Sequence, residues 1–291
     1  MKAANAPRSR NGAALLRALP GLWTTTWMVG PATAAMLAFI FVPTALVAVL
    51  SFTDYQFGAR TFSWIGFENY AELLTDPIGR RAVTNTLLYV LMVIPTSIVL
   101  GLLVALGLHG VAGWGRETRF GPAWRWLANA MRAAYFLPVA ATLVALSLVW
   151  QMLLHPSIGL VNQTLAALGI EGHAWLSDQT TVLATLAAIG VWQTVGYNMV
   201  LFLAGLTTIP DHLYEAAAVD GAHRPWERFW TVTWPMLGPT TLFVAVITAT
   251  QAFRVFETVA TLTKGGPAFA SDTLVYAMYR EGFVYFKAGY S

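Results

Sequence analysis

Four stretches without a charged residue, Met28 to Leu50, Leu87 to Leu108, Ala133 to Leu154 and Thr181 to Leu206, decide what this chain can become. Each is long enough to cross a ~30 Å hydrocarbon layer as a helix, which takes about 20 apolar residues. A fifth apolar stretch begins near Thr240 and is interrupted by charge. Composition agrees: 57% of residues are hydrophobic and 11% charged, the latter under half of what an ordinary soluble domain carries. The chain is therefore read as an all-α membrane protein. Pro43, Pro95 and Pro138 fall inside these stretches. Neighbouring helices satisfy the carbonyls that proline frees, so kinked helices without extra breaks are expected.

Lys2, Arg8, Arg10 and Arg17 precede the first stretch as in a signal peptide. The charge-free run from Ala18 to Thr53 is too long for a signal h-region, and it reads as a membrane span. The same basic residues, with no acid among them, give a cytoplasmic N-terminal arm over residues 1–27. The loop at 109–132, with Arg116, Arg119, Arg125 and Arg132 against Glu117, also belongs inside. Segments 54–81 and 155–179 then lie outside, and parity brings the loop at about 207–240 back to the cytoplasm. With no cysteine, disulfides, thiolate zinc sites and cysteine nucleophiles are excluded. The net charge of +3 follows membrane topology, so nucleic acid is not an expected partner.

Within that cytoplasmic loop stands EAAAVDGA, Glu215 to Ala222. Pro210 and Asp211 suit the first turn of a helix, Gly221 suits its stop, and Pro225 suits the start of a second. Leu213, Ala216 and Ala217 fall at i, i+3 and i+4, a face of small side chains that another surface can approach closely, with Glu215 at its edge. Two readings follow from the residues alone: a docking helix, or an interfacial amphipathic helix that joins two spans.

The segment resembles the EAA loop of binding-protein-dependent ABC importer permeases, whose pattern is E-A-A, three residues, Gly, then a short helix ending in Leu-Pro. Glu215, Ala216, Ala217 and Gly221 match it, and Asp220 and Ala222 match a common extension. One extra residue lies between Gly221 and Pro235, and Trp234 stands where Leu is usual. FVPTALVAVLSFTDY, WIGFENYAELLTDP, TNTLLYV, LHPSIGLVN and LTKGGPAFASDTLVYAMYREGF extend the resemblance over nearly the whole chain, toward the carbohydrate-uptake branch. There it is similar to the maltose and sn-glycerol-3-phosphate permease subunits. The resemblance implies a type I ABC importer transmembrane domain over 28–291, with five visible transmembrane helices and the usual sixth missing from the C-terminus.

It also implies a bacterial or archaeal cytoplasmic (inner) membrane and several partners. These are a second homologous permease subunit, two ATPase subunits that take the coupling residues Glu215, Ala216, Ala217, Asp220 and Gly221, and an extracytoplasmic solute-binding protein. No cofactor is expected in this chain, since ATP and Mg belong to the ATPase. Consistently, GVAGWGRE (Gly110 to Glu117) fails as a phosphate loop, with Arg116 where Lys is needed and Glu117 where Ser or Thr would hold magnesium. No H-E-x-x-H is present, and the histidines lie at loops and span ends, so no metal is expected.

Two polar clusters inside the apolar stretches are candidates for binding a solute. Arg254 and Glu257 are three apart, within pairing distance on one helical face, and each would cost about 2.5–3.5 kcal/mol at the bilayer centre. They belong in the bundle interior or a wet cavity, or else at the outer interface as a solvated pair. Gln193 and Tyr197 share a face that offers an amide, a phenol and a ring to a sugar, within a cluster that includes Asn198; interhelical hydrogen bonding is the competing role. The resemblance favours substrate lining for Gln193, Tyr197, Asn198, Gln251, Arg254 and Glu257. It implies a permease half-path for a sugar, oligosaccharide or glycerol phosphate. A membrane-embedded enzyme and a self-contained carrier are the alternatives.

Overall fold

The computed structural model describes residues 26–117 and 121–291, and side chains outside 111–125. Nearly all of the expected N-terminal arm, with its Lys2, Arg8, Arg10 and Arg17, lies outside the described residues, as do the side chains of Arg116, Glu117, Arg119 and Arg125. The chain divides into two compact units, one ending at Ala71 and rejoined by Glu281–Ser291, the other Glu72–Arg280.

In the first unit, α1 (Thr26–Leu50) is apolar throughout, and none of its span is buried. It contains a π-turn at Leu37–Phe41. The ring of Pro43 would clash with the carbonyl of Phe39, at the middle of that turn, so the helix widens there and continues. Beyond α1 the Asn69 amide donates to the Ser51 and Thr53 carbonyls at 2.8 and 2.9 Å. Phe52 meets Phe67 edge to face. The C-terminal segment pairs with this region, since the Phe57 N–H donates to Phe286 and the Gly289 N–H to Tyr55. A short helix, α2 (Glu68–Thr75), stands where the units divide.

The second unit is a helical bundle. Its long helices are α3 (Pro77–Glu117), α4 (Gly121–Ala140), α5 (Leu143–Leu153), α7 (Val182–Thr207) and α10 (Gly238–Phe253). Between and after them lie α6 (Leu160–Ala167), α8 (Asp211–Val219), α9 (225–236) and α11 (Glu257–Leu262). The last, α12 (Leu274–Tyr279), runs into a π-turn at Arg280–Val284. The region expected as a loop at 109–132 is helical as far as Glu117 and again from Gly121. Among the described residues four segments are long and apolar enough to span, α1, α3, α7 and α10 taken together with α11 (Gly238–Leu262), and α4 with α5 makes a fifth if the pair is one span.

At the centre is α7, apolar on every side, with over half of its span buried against α3, α4 and α10. Glycine allows that contact. A Cβ at Gly196 would strike the Tyr135 carbonyl of α4, and one at Gly101 of α3 would come within 2.7 Å of Asn198. Without a hydrophobic force between helices in lipid, such backbone approach is what packs them.

The helices continue without a break past Pro43 and Pro95, whereas the expectation of no extra break fails at Pro138. There α4 and α5 meet at 103°, with Thr142 outside the helical conformation between them. Pro138 removes a helical N–H and displaces the Ala134 carbonyl, and the chain leaves the helix within one turn. A second break, without proline, separates α10 from α11 at 254–256.

Candidate functional site: a polar cavity between the two broken helices

Both breaks border one cavity of about 420 Å³. From α7 come Gln193, Thr194 and Tyr197; from the α10–α11 break come Thr250, Gln251, Arg254, Glu257 and Thr258; Tyr89 of α3, Val139 of α4 and Leu143 of α5 complete the wall. Gln193 and Tyr197 face it together because four residues carry a helix through little more than one turn. The volume suits a small ligand, and the wall mixes apolar surface with a few polar groups, as ligand sites do.

The break decides the state of the charges. Because α10 ends at Phe253, with Arg254 as its C-cap, and α11 begins at Glu257, the two do not share one helical face as the sequence suggested. Among the described residues neither is in an ion pair, and both are exposed to the cavity. A guanidinium and a carboxylate are thus both available to a ligand.

Asn198 departs from the substrate-lining expectation. It is fully buried and accepts a hydrogen bond from the Thr248 hydroxyl of α10 at 3.0 Å. One residue beyond Tyr197, it is turned about 100° away from the cavity, so it serves interhelical contact. Tyr89, Thr250 and Thr258 were missed. A lone hydroxyl in an apolar run carries no signal that separates lining from packing.

A second charged pair was also missed. Arg280 donates from Nη1 to Asp272 Oδ2 at 2.6 Å, with Asp272 fully buried, and its guanidinium lies 5.1 Å from the centre of the Phe269 ring. Asn85 of α3 donates to the Phe269 and Asp272 carbonyls, both at 2.9 Å, and the Leu274 N–H donates to Thr86 Oγ1. This clamp fixes the segment that follows Gly265, Gly266 and Pro267 onto α3.

The loop read as a docking element forms as its residues require. Pro210 stands at the N-cap position of α8, and Gly221 adopts φ +98°, where a side chain would be strained. The Ala222 N–H donates to Ala217 and the Gly221 N–H to Ala218, a Schellman closure. Pro225 opens α9, whose Glu227 carboxylate accepts from the Arg224 N–H. Glu215, Ala216 and Asp220 are exposed, Ala217 is half-buried, and Val219 at the tip is 88% exposed. Tyr214 bonds Thr233 at 3.1 Å, and Arg228 Nε donates to the Ala222 carbonyl, tying α8 to α9 as one piece. No group of three or more His, Asp or Glu that could hold a metal occurs among the described residues.

Comparison with known proteins sets these features in context. The family described as binding-protein-dependent transport system inner membrane component matches residues 80–286. The chain is 32% identical over 257 residues to the probable ABC transporter permease protein YurN of Bacillus subtilis (strain 168), covering 88% of this chain and 84% of that one. It is 30% identical over 265 residues to the sn-glycerol-3-phosphate transport system permease protein UgpA of Agrobacterium fabrum (strain C58 / ATCC 33970), covering 91% and 85%. A crystal structure of a bacterial alginate ABC transporter, in complex with an alginate pentasaccharide-bound periplasmic protein, superposes with a TM-score of 0.74. It covers 97% of this chain and 89% of that one at 23% identity.

Proposed function

We propose, since the chain belongs to the family of binding-protein-dependent transport system inner membrane components, that the cavity at the two breaks is its half of the path for a sugar or glycerol-phosphate solute. The observation that carries this reading is the cavity wall itself. Gln193, Tyr197 and Gln251 offer amide and phenol groups to hydroxyls, while Arg254 and Glu257 stand unpaired beside them. A phosphate would take Arg254 through two guanidinium N–H groups, and a neutral sugar would share its hydroxyls between Arg254 and Glu257. The names of relatives such as UgpA support this solute class.

The path is completed by a second, homologous permease. An extracytoplasmic solute-binding protein delivers cargo, and two ATPase subunits, which hold ATP and Mg, receive the exposed Glu215–Gly221 helix on the cytoplasmic side. The N-terminus is cytoplasmic, as the basic residues of its arm require. Nucleotide-driven closure moves α8 with α9 and shifts the bundle between inward and outward access. This chain hydrolyses nothing.

The test is uptake by the reconstituted transporter of labelled disaccharides and glycerol phosphates, with Tyr197→Ala and Arg254→Gln in this chain. Both substitutions should depress uptake at normal assembly. Glu215→Lys and Gly221→Pro should leave ATP hydrolysis running without transport. Full uptake by all four variants, at normal expression, would defeat the reading.

A further inference from the structure

The segment after the docking helix carries a feature that neither the cavity nor α8 uses. Trp226, Trp230 and Trp234 follow one another at every fourth residue of α9 and are 67%, 48% and 39% exposed. Their rings stack edge to face, Trp226 on Trp230 at 5.4 Å and Trp230 on Trp234 at 6.1 Å, with Phe229 behind them. In an ordinary α-helix a four-residue step drifts around the axis, because four residues exceed the ~3.6 of a turn. The π-turn at Phe229–Thr233 unwinds the backbone locally and offsets that drift, so the tryptophans form a continuous stripe. The turn has a local cause: the ring of Pro235 would clash with the carbonyl of Thr231, at its middle.

The opposite side of α9 is committed to protein. Val232 and Thr233 are buried, Tyr214 bonds Thr233, and Arg228 bonds the carbonyl of Ala222. The tryptophans therefore point away from the bundle, directly before α10, a membrane span that starts at Gly238. The same four-residue spacing continues along that span through Leu242 and Val246, which are 68% and 56% exposed. Beyond the turn at Leu237, the exposed side of the chain changes from aromatic to aliphatic. Tryptophan belongs at such a boundary, its ring in the acyl edge and its N–H among the headgroups. Arg224, exposed at the outer end of the stripe, adds a cation at headgroup depth.

We infer that Trp226, Trp230 and Trp234 seat α9 in the lipid headgroup layer at the end of α10, and that the membrane surface thereby sets the depth of the docking helix α8. Lipid is favoured over a protein partner because three exposed tryptophans and Arg224 stand at the start of a span, where a headgroup layer takes such residues. The link to α8 is the pair of bonds at Tyr214–Thr233 and Arg228–Ala222. The inference does not depend on which solute the cavity carries.

The chain has no cysteine, so single cysteines can be placed freely. The assembled transporter, with Trp230→Cys or Trp226→Cys labelled by a small thiol-reactive fluorophore, is reconstituted into nanodiscs of phosphatidylcholine brominated near the top of its acyl chains. Val219→Cys, at the tip of α8, serves as the comparison. The label at either tryptophan position should lose most of its emission relative to nanodiscs of unbrominated lipid, while the label at Val219 keeps its own. Unquenched emission at the tryptophan positions of an assembled transporter would mean that protein covers the stripe, and would overturn the inference. Equal quenching at Val219 would overturn it as well, since the docking helix would itself lie in the lipid. Two tryptophan positions keep the test decisive where one substitution fails to assemble.

Discussion

Two arginines of this chain meet carboxylates in opposite ways. Arg280 and Asp272 are closed at 2.6 Å, the carboxylate fully buried, within a set of bonds from Asn85, Thr86 and Ser271 that holds one segment still. Arg254 and Glu257, closer in sequence, sit on either side of a helix break and face a cavity unpaired. In a chain with so few charges, one pair is closed within the protein and the other is left open to a cavity. Ionisable residues inside membrane proteins tend to mark function, and the proposed difference in use rests on this difference in pairing.

Breaking the closed pair should have the largest effect. Arg280→Met leaves Asp272 buried without its cation and should destabilise the protein by about 3–5 kcal/mol. Thermal unfolding of the purified chain, or loss of protease resistance, reads this directly. An unchanged midpoint would mean that the pair is not structural, and the contrast with the cavity would collapse.

The open pair should behave in reverse. Arg254→Gln should leave the unfolding midpoint unchanged and lower solute affinity by about 10- to 100-fold, the worth of a charge-assisted hydrogen bond of about 1.5–3 kcal/mol. Glu257→Gln sharpens the reading. With a phosphorylated solute it should improve binding, because a competing anion is gone; with a neutral sugar it should weaken it. Competition for uptake between a glycerol phosphate and a disaccharide separates these outcomes.

The same division runs through the amides on a smaller scale. Asn198 is occupied by Thr248, whereas Gln193 faces the cavity. Thr248→Val should cost about 1 kcal/mol of stability, in the range of interhelical hydrogen bonds in membranes, and leave transport intact. Gln193→Ala should do the opposite. Measuring both variants for unfolding and for uptake tests whether polar groups in the spans sort into these two kinds.

How much of this was legible follows from the same residues. The spans were plain in the charge-free runs, and α8 with its Gly221 closure was plain in local chemistry, because both depend on near neighbours in sequence. Gln193 and Tyr197 were readable from helical spacing, and that spacing also separates Tyr197 from Asn198. The relation of Arg254 to Glu257 was not readable: it needed a continuous helix, and no proline or glycine marks the break at 254–256. Asp272 and Arg280 are eight residues apart, and the chain enters α12 only at Leu274, so no period joins them. Pro138 marked a place of disturbance, but the 103° turn depends on what α4 and α5 pack against.

The smallest effect extends the comparison beyond the membrane, to a carboxylate held by backbone. Asp178 accepts from the Thr180 N–H and hydroxyl, both at 2.8 Å, and lies 3.2 Å from His173. The Thr180 N–H is the largest cause that lowers its pKa, followed by the Thr180 hydroxyl, with His173 a lesser one. A lowered carboxylate pKa stabilises the folded turn fully above the ordinary aspartate value of ~3.9, and that stability is lost as pH falls through the folded value. The turn at 173–181 should therefore hold its structure from neutral pH down to about 4 and loosen only below that. Asp178→Asn, which keeps an acceptor oxygen but cannot ionise, should remove this acid step and leave the rest of the profile unchanged. Hydrogen exchange of the Thr180 amide against pH measures it. A loosening centred well above pH ~4 would mean that ionised Asp178 is not what holds this turn, and the comparison with the buried clamp would not extend to it.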